Sequence, residues 1–311
     1  MQQRYFVTLT PFKNYYCEAL PCALGKYCEL SPDDEKLLNE TEIKTLCEYA
    51  IMKNVIAGVK EVYLKLPHYV EIDDLFDKHK VKGKIILPAL EICLLPMKAL
   101  VGDKLIFEIE SFSDLTDAFL GDFADFVGDK DLPVMLNLGD NLAEVGKVVN
   151  RFKKSPTELA EEYGLLDRKC FVRGLNHVDK DDLALLKNYE VIGVLTPRDD
   201  ANEGKGFINN YNLVYSDFPF GFGSGKCYNI DMLGEGRLSC QNTANLLSER
   251  GTISLYNILK ALACEDGQIQ FDFDPDARQE TLLEERICLG SLDEDIEHKV
   301  KQIAKRLKEK K

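Results

Sequence analysis

Leu132-Pro133-Val134-Met135-Leu136-Asn137-Leu138-Gly139-Asp140-Asn141-Leu142-Ala143-Glu144-Val145 opens on a short run that is apolar throughout, then breaks at Gly139 and enters a helical pattern at Asn141. The same unit returns twice downstream. Cys170-Phe171-Val172-Arg173-Gly174-Leu175 leads into Asp179-Lys180-Asp181-Asp182-Leu183-Ala184-Leu185-Leu186, and Val191-Ile192-Gly193-Val194-Leu195 leads into Thr196-Pro197. Strands that are apolar on both faces belong to sheets covered on both sides, and strand-helix alternation implies that the sheet is parallel.

Working outward, eight strands are predicted: Tyr5–Leu9, Glu61–Leu66, Lys84–Leu87, Lys104–Ile109, Pro133–Leu138, Cys170–Leu175, Val191–Leu195 and Leu213–Ser216. Helices fit between them. Asp114 can cap Leu115–Val127, Asn141 begins Leu142–Phe152, and Ser155-Pro156-Thr157-Glu158 sets a cap, a first-turn proline and a capping-box glutamate in order. Eight such units predict a (β/α)8 TIM barrel, with an open doubly wound sheet as the alternative. We read residues 1–311 as one barrel domain with a helical C-terminal tail over about 282–311, where Leu283, Ile287, Ile296, Val300, Ile303 and Leu307 recur at helical multiples.

Composition narrows the function classes. The 311 residues are 45% hydrophobic, enough for one large core. No apolar stretch approaches the about 18 residues of a membrane span, and the N-terminus lacks the basic and apolar regions of a secretory signal. Ten cysteines without a spacing framework point to a reducing cytoplasmic compartment. A net charge of -14 argues against nucleic-acid binding, and the basic Lys299–Lys311 run reads as a solvated helix end.

Several motifs carry little. Gly221-Phe222-Gly223-Ser224-Gly225-Lys226 has the wrong spacing for a phosphate loop, and Cys227 stands where Ser or Thr is needed. Cys17, Cys22 and Cys28 are too widely spaced for a zinc knuckle. Ala277 takes the required glycine position in a calcium-like Asp272–Asp276 turn. Of the four histidines, His68 and His177 lie just past predicted strands, at the end of the barrel where active sites sit.

From Leu132 to Leu238 the ordered motifs resemble the second half of an amidohydrolase-superfamily barrel, in the branch of chlorohydrolases and of guanine, cytosine and adenosine-analogue deaminases. In that family strand five ends in a metal-binding His, followed by two Glu; the matching residues are Asn137, Asp140 and Glu144. Strand six ends in His-Gly, matched by Arg173-Gly174, and strand seven in Pro-x-Ser-Asn, matched by Pro197-Arg198-Asp199-Asp200. Strand eight ends in Gly-Thr-Asp, matched by Tyr215-Ser216-Asp217, and the Met-Leu-x-Glu-x-Arg-Leu helix returns as Met232–Leu238. The first-strand His-x-His has its nearest equivalent in Thr8-Leu9-Thr10, and the family's accessory β-sandwich is expected to be absent.

A hydrolytic metal needs three or more suitable ligands, and of the family's set only Asp217 remains. The resemblance therefore implies a barrel without the metal site and with no cofactor. It would serve as a non-catalytic or ligand-binding homologue that takes a small molecule at its mouth or assembles with a second copy. Two alternatives are a metal-independent enzyme using Asp140, Asp217, Arg173 and His177, and a metal-dependent hydrolase or deaminase with ligands rewired to His68, His177, Asp199 or Asp217. Asn137, Arg173 and Asp217 are expected together at the C-terminal ends of strands five, six and eight. There Arg173 would supply Asp217 with the missing positive charge, or else turn to solvent or pair with Asp179 or Asp182.

Overall fold

A computed structural model describes residues 5–9, 11–95, 104–207, 213, 216–248, 255–264, 269–273 and 292–310. Strand β1 (Tyr5–Leu9) pairs antiparallel with β10 (Ile269–Phe273) and is not part of the barrel. The barrel strands are β2 (Phe12–Glu18), β3 (Val59–Lys65), β4 (Lys82–Pro88), β5 (Leu105–Ile109), β6 (Val134–Asn137), β7 (Cys170–Arg173), β8 (Val191–Leu195) and β9 (Phe220–Phe222). They form one eight-stranded sheet in sequence order, parallel throughout.

The ring closes between β2 and β9 through a short seam. Gly225 donates its N–H to the Tyr16 carbonyl and Glu18 donates to the Gly225 carbonyl, each at 2.9 Å. A buried side chain extends the pairing: Asn14 Nδ2 donates to Asn54 Oδ1 and Ser224 Oγ at 2.9 Å, and Asn14 Oδ1 accepts the Ser224 N–H at 3.0 Å. Glycine is required on the facing strand. A Cβ at Gly221 would collide with the Tyr15 ring, and one at Gly223 would stand 2.7 Å from the Tyr16 carbonyl.

Two of the eight predicted strands are corrected. Tyr5–Leu9 is a strand, but the first barrel strand is Phe12–Glu18, whose Lys13 and Asn14 interrupt the apolar run expected of a doubly covered strand. Asn14 is tolerated there because its amide is fully hydrogen-bonded across the seam. The last barrel strand is Phe220–Phe222 rather than Leu213–Ser216; its short Phe-Gly-Phe sequence carries a weak strand signal. Residues 214–215 lie outside the described residues. Beside the barrel, the antiparallel β1–β10 ribbon joins the segment before the first barrel strand to the chain after the barrel, a pairing that runs against the expected absence of an accessory β-unit.

The interior is filled by a layer of Tyr16, Tyr63, Ile86, Ile106, Met135, Phe171 and Val194. Tyr15 meets Tyr63 edge-on at 5.1 Å, and Tyr63 meets Phe171 at 5.4 Å, so the barrel is a packed core and not a pore. Ser155, Asn141 and Asp179 cap the helices Pro156–Glu162, Leu142–Phe152 and Lys180–Lys187. Thr116, two residues after the expected Asp114, caps Asp117–Asp129. In the tail, Glu294–Glu309 is a helix that buries Ile296, Val300, Ile303 and Leu307 and packs on the helix Glu40–Ile56. Leu283 and Ile287 lie outside the described residues.

Candidate functional site at the barrel mouth

The C-terminal ends of the strands carry charges that the hydrophobic pattern does not call for. Glu108 is the one ionisable residue in Leu105-Ile106-Phe107-Glu108-Ile109 and is only 1% exposed. Its partners come from other strands. Arg173, at the end of β7, places Nε on Glu108 Oε1. Lys65, at the end of β3, places Nζ 2.9 Å from Glu108 Oε2. Tyr16 of β2 donates its hydroxyl to Glu18 at 3.1 Å and to Glu108 at 3.4 Å, and accepts a bond from Lys65 at 3.1 Å.

The network continues across the mouth. Arg173 Nη1 bonds Asp140 Oδ2 at 3.0 Å, Lys205 Nζ lies 3.4 Å from the same oxygen, and Lys205 reaches Asp199 at 3.5 Å. The Arg173 guanidinium stacks over the Tyr16 ring with Cζ 4.8 Å from its centroid. Lys65 also pairs with Glu110. The result is an alternating chain, Lys65–Glu108–Arg173–Asp140–Lys205–Asp199, spanning five barrel strands and their loops.

Each charge depends on its neighbours. Burial pushes the Glu108 carboxyl up, but Arg173 and Lys65 together hold it below the usual glutamate value. Asp140 is treated in the same way: burial raises it, and Arg173 and Lys205 more than reverse that. Burial works against the charge on Arg173, yet Glu108, Tyr16 and Asp140 keep it firmly protonated. Two carboxyls nearby behave differently. Asp200 is pushed up to about 6 by burial, with Asp140 adding repulsion, and Glu235 to about 7 by burial that Arg198 only partly offsets. Glu235 Oε2 accepts the Arg198 N–H at 3.0 Å, and Asp200 accepts from the Thr196 hydroxyl at 3.0 Å.

The structure brings together Asp140 and Arg173 from the residues singled out in the sequence, and sets Asn137 beside them. Asn137 Nδ2 donates to the Glu110 carbonyl at 3.0 Å. Gly174, with φ +67°, lets the chain turn tightly here; a Cβ would collide with Asn137 Oδ1 and stand 2.8 Å from the Asp140 nitrogen. His177 bonds the Lys205 carbonyl at 3.0 Å, so it positions the loop that carries Lys205. Glu144 accepts the Ser113 hydroxyl at 3.0 Å. Asp179 and Asp182, the alternative partners of Arg173, instead cap the helix Lys180–Lys187.

Asp217 is corrected. It lies exposed in a turn before the first residue of β9, at φ +50°, and so on the N-terminal side of the barrel, while Arg173 ends β7 on the opposite side. There it lines a 330 Å³ cavity with Phe218, Phe220 and Lys260. The physical reason is the displaced last strand: β9 ends in Phe222-Gly223-Ser224, which carries no carboxylate. Likewise, the residues that the first barrel strand brings to the mouth are Tyr16 and Glu18; Thr8 belongs to β1, outside the barrel, and Thr10 lies outside the described residues. Glu108, Lys65, Tyr16 and Lys205 were missed; the available signal was a charge at the end of a strand otherwise buried on both faces.

These side chains do not fit a divalent metal. Of the two positions matching metal-binding histidines, Asn137 turns an N–H toward a carbonyl and Arg173 is itself a buried cation. Among the described residues, no three His, Cys, Asp or Glu are grouped so as to hold a metal ion. Lys65 and Lys205 add positive charge to the same carboxylates, which disfavours a further cation.

No family model matches the chain. Over 131 residues, 41% of its length, it is 28% identical to a 5-methylthioadenosine/S-adenosylhomocysteine deaminase of Caldicellulosiruptor saccharolyticus, and the match takes in 29% of that protein. Among solved structures it is similar to a zinc-bound adenosine deaminase of Xanthomonas campestris, with a TM-score of 0.80 at 13% identity over 98% of this chain and 86% of that one. A guanine deaminase of C. acetobutylicum with bound guanine gives a TM-score of 0.71 at 15% identity, over 97% and 83% of the two chains.

Proposed function

We propose that this chain is an amidohydrolase-superfamily barrel with a metal-free, non-hydrolytic role, in which the charged mouth binds a small polar molecule; the likeness to the deaminases supports the first part. The observation that carries the reading is the Arg173 guanidinium, bonded to Glu108 and Asp140 and stacked on Tyr16 at the centre of the mouth. In the family that the chain resembles, hydrolysis uses a metal that activates water. A fixed guanidinium supplies charge but has no open coordination position, so it takes over the electrostatic part of a metal's role and not the chemical part. Lys65 and Lys205, part-buried at the rim, offer N–H donors to an anionic or carbonyl-bearing ligand. Assembly with a second copy and a reducing cytoplasmic setting, the latter supported by ten cysteines without a spacing framework, complete the proposal. No helix among the described residues is long and apolar enough to cross a membrane.

The test combines elemental analysis of purified protein with an ammonia-release assay. Substrates would be adenosine, 5-methylthioadenosine, S-adenosylhomocysteine and guanine, with and without added zinc. The reading expects neither a stoichiometric metal nor turnover. A bound metal near one equivalent, with ammonia released, would overturn it.

A further inference from the structure

The surroundings of Arg173 are built like a ligand site. Glu108 and Asp140 meet two different nitrogens of one guanidinium, Nε and Nη1, and the Tyr16 ring covers its face with Cζ at 4.8 Å. Glu108 is 1% exposed and Asp140 8%. Three elements supply the three walls: β5, the loop after β6, and β2. Two carboxylates directed at separate N–H groups match a planar, delocalised cation, whereas a metal ion would draw both onto one point. An aromatic face adds attraction for such a cation but no ligand for a metal.

We infer that Glu108, Asp140 and Tyr16 form a seat for a guanidinium-type cation, filled in cis by Arg173, and that emptying it creates a binding site for an external guanidinium in preference to a divalent metal. This rests on the metal-free reading of the mouth. Arg173 is thereby the residue that keeps the seat closed to other cations, and with Lys65 beside Glu108 and Lys205 beside Asp140 it keeps the two carboxylates ionised. A buried carboxylate pair that loses its cation must either recruit another or take up protons.

The experiment uses the full chain carrying Arg173→Ala, with the wild type beside it, and reads thermal midpoints in methylguanidinium, methylammonium or zinc chloride. Methylguanidinium should raise the variant's midpoint with a roughly millimolar half-effect, as for a small ligand held by few contacts. Methylammonium and zinc should do less, the wild type should not respond, and Asp140→Asn placed on the variant should abolish the response. A variant that folds but responds to no cation, or responds to zinc at least as strongly, overturns the inference. If Arg173→Ala does not fold, the Glu108→Gln/Arg173→Ala double variant decides: its folding shows that uncompensated charge was the defect, and its failure overturns the seat. A wild-type protein holding stoichiometric metal defeats the metal-free reading instead, so the two failures are distinct.

Discussion

Among the described residues, replacing Arg173 with Met leaves Glu108 buried with Lys65 as its one cationic partner, and Asp140 with Lys205 alone. Removing one member of a buried ion pair typically costs ~3–5 kcal/mol, because the remaining charge stays desolvated. Glu108, at 1% exposure, stands near that limit, and the residual Lys65 contact at 2.9 Å pulls the expectation toward the lower end, ~3 kcal/mol. Glu108→Gln with Arg173→Met removes the stranded charge, so the double variant should be more stable than the single by ~1 kcal/mol or more. Urea unfolding at neutral pH measures both. The pH dependence adds a signed test. Glu108 and Asp140 have depressed folded-state pKa values, so the stability they contribute is present above their unfolded values, about 4.3 and 3.9, and fades as pH falls through the folded values. Without Arg173 both carboxyls should move up from their depressed values, and the loss of stability on acidification should shrink. Equal costs for the single and double variants, with an unchanged acid slope, would refute the reasoning.

Asn14→Ala should unfold at lower urea, because Asn54 Oδ1 and the Ser224 N–H lose a partner at a buried seam, and each orphaned buried group costs ~1–3 kcal/mol. Metal content and mouth ligands should be unaffected. For Glu235, burial raises the folded pKa to about 7, so its protonated form favours folding; that contribution is full below the unfolded value and is lost as pH rises through about 7. The wild-type midpoint should therefore fall between pH 5 and 8 by more than that of Glu235→Gln, and parallel curves would remove the case for this carboxyl.

Strands β3 to β8 and the capped helices between them were legible in order because their signals are local: an apolar run, a glycine or a cap, then helical spacing. The family motifs after β6 and β7 were legible for the same reason, and Asn137, Asp140 and Arg173 do meet at one end of the barrel. The strands on either side of the seam were misread. β2 holds Lys13 and Asn14, acceptable only because Asn54 and Ser224, 40 and 210 residues away, complete the Asn14 hydrogen bonds. β9 is three residues long, and Tyr15 packs against its Gly221 while Tyr16 packs against Gly223 just beyond it.

What the amino-acid order determined by itself was the alternation of strand and helix, hence a parallel barrel, and the presence of Asn137 and Arg173 at strand ends where the family it resembles carries histidines. Only the tertiary structure decided which charges meet. Glu108 and Arg173 are 65 residues apart, and neither residue's local sequence names the other. Periodicity records which face of an element is buried, whereas a buried ion pair is set by barrel closure, which brings strand ends from distant parts of the chain within hydrogen-bond reach. Asp217 shows the converse: its local sequence matched a metal-binding motif, but the placement of the last strand put it at the other end of the barrel.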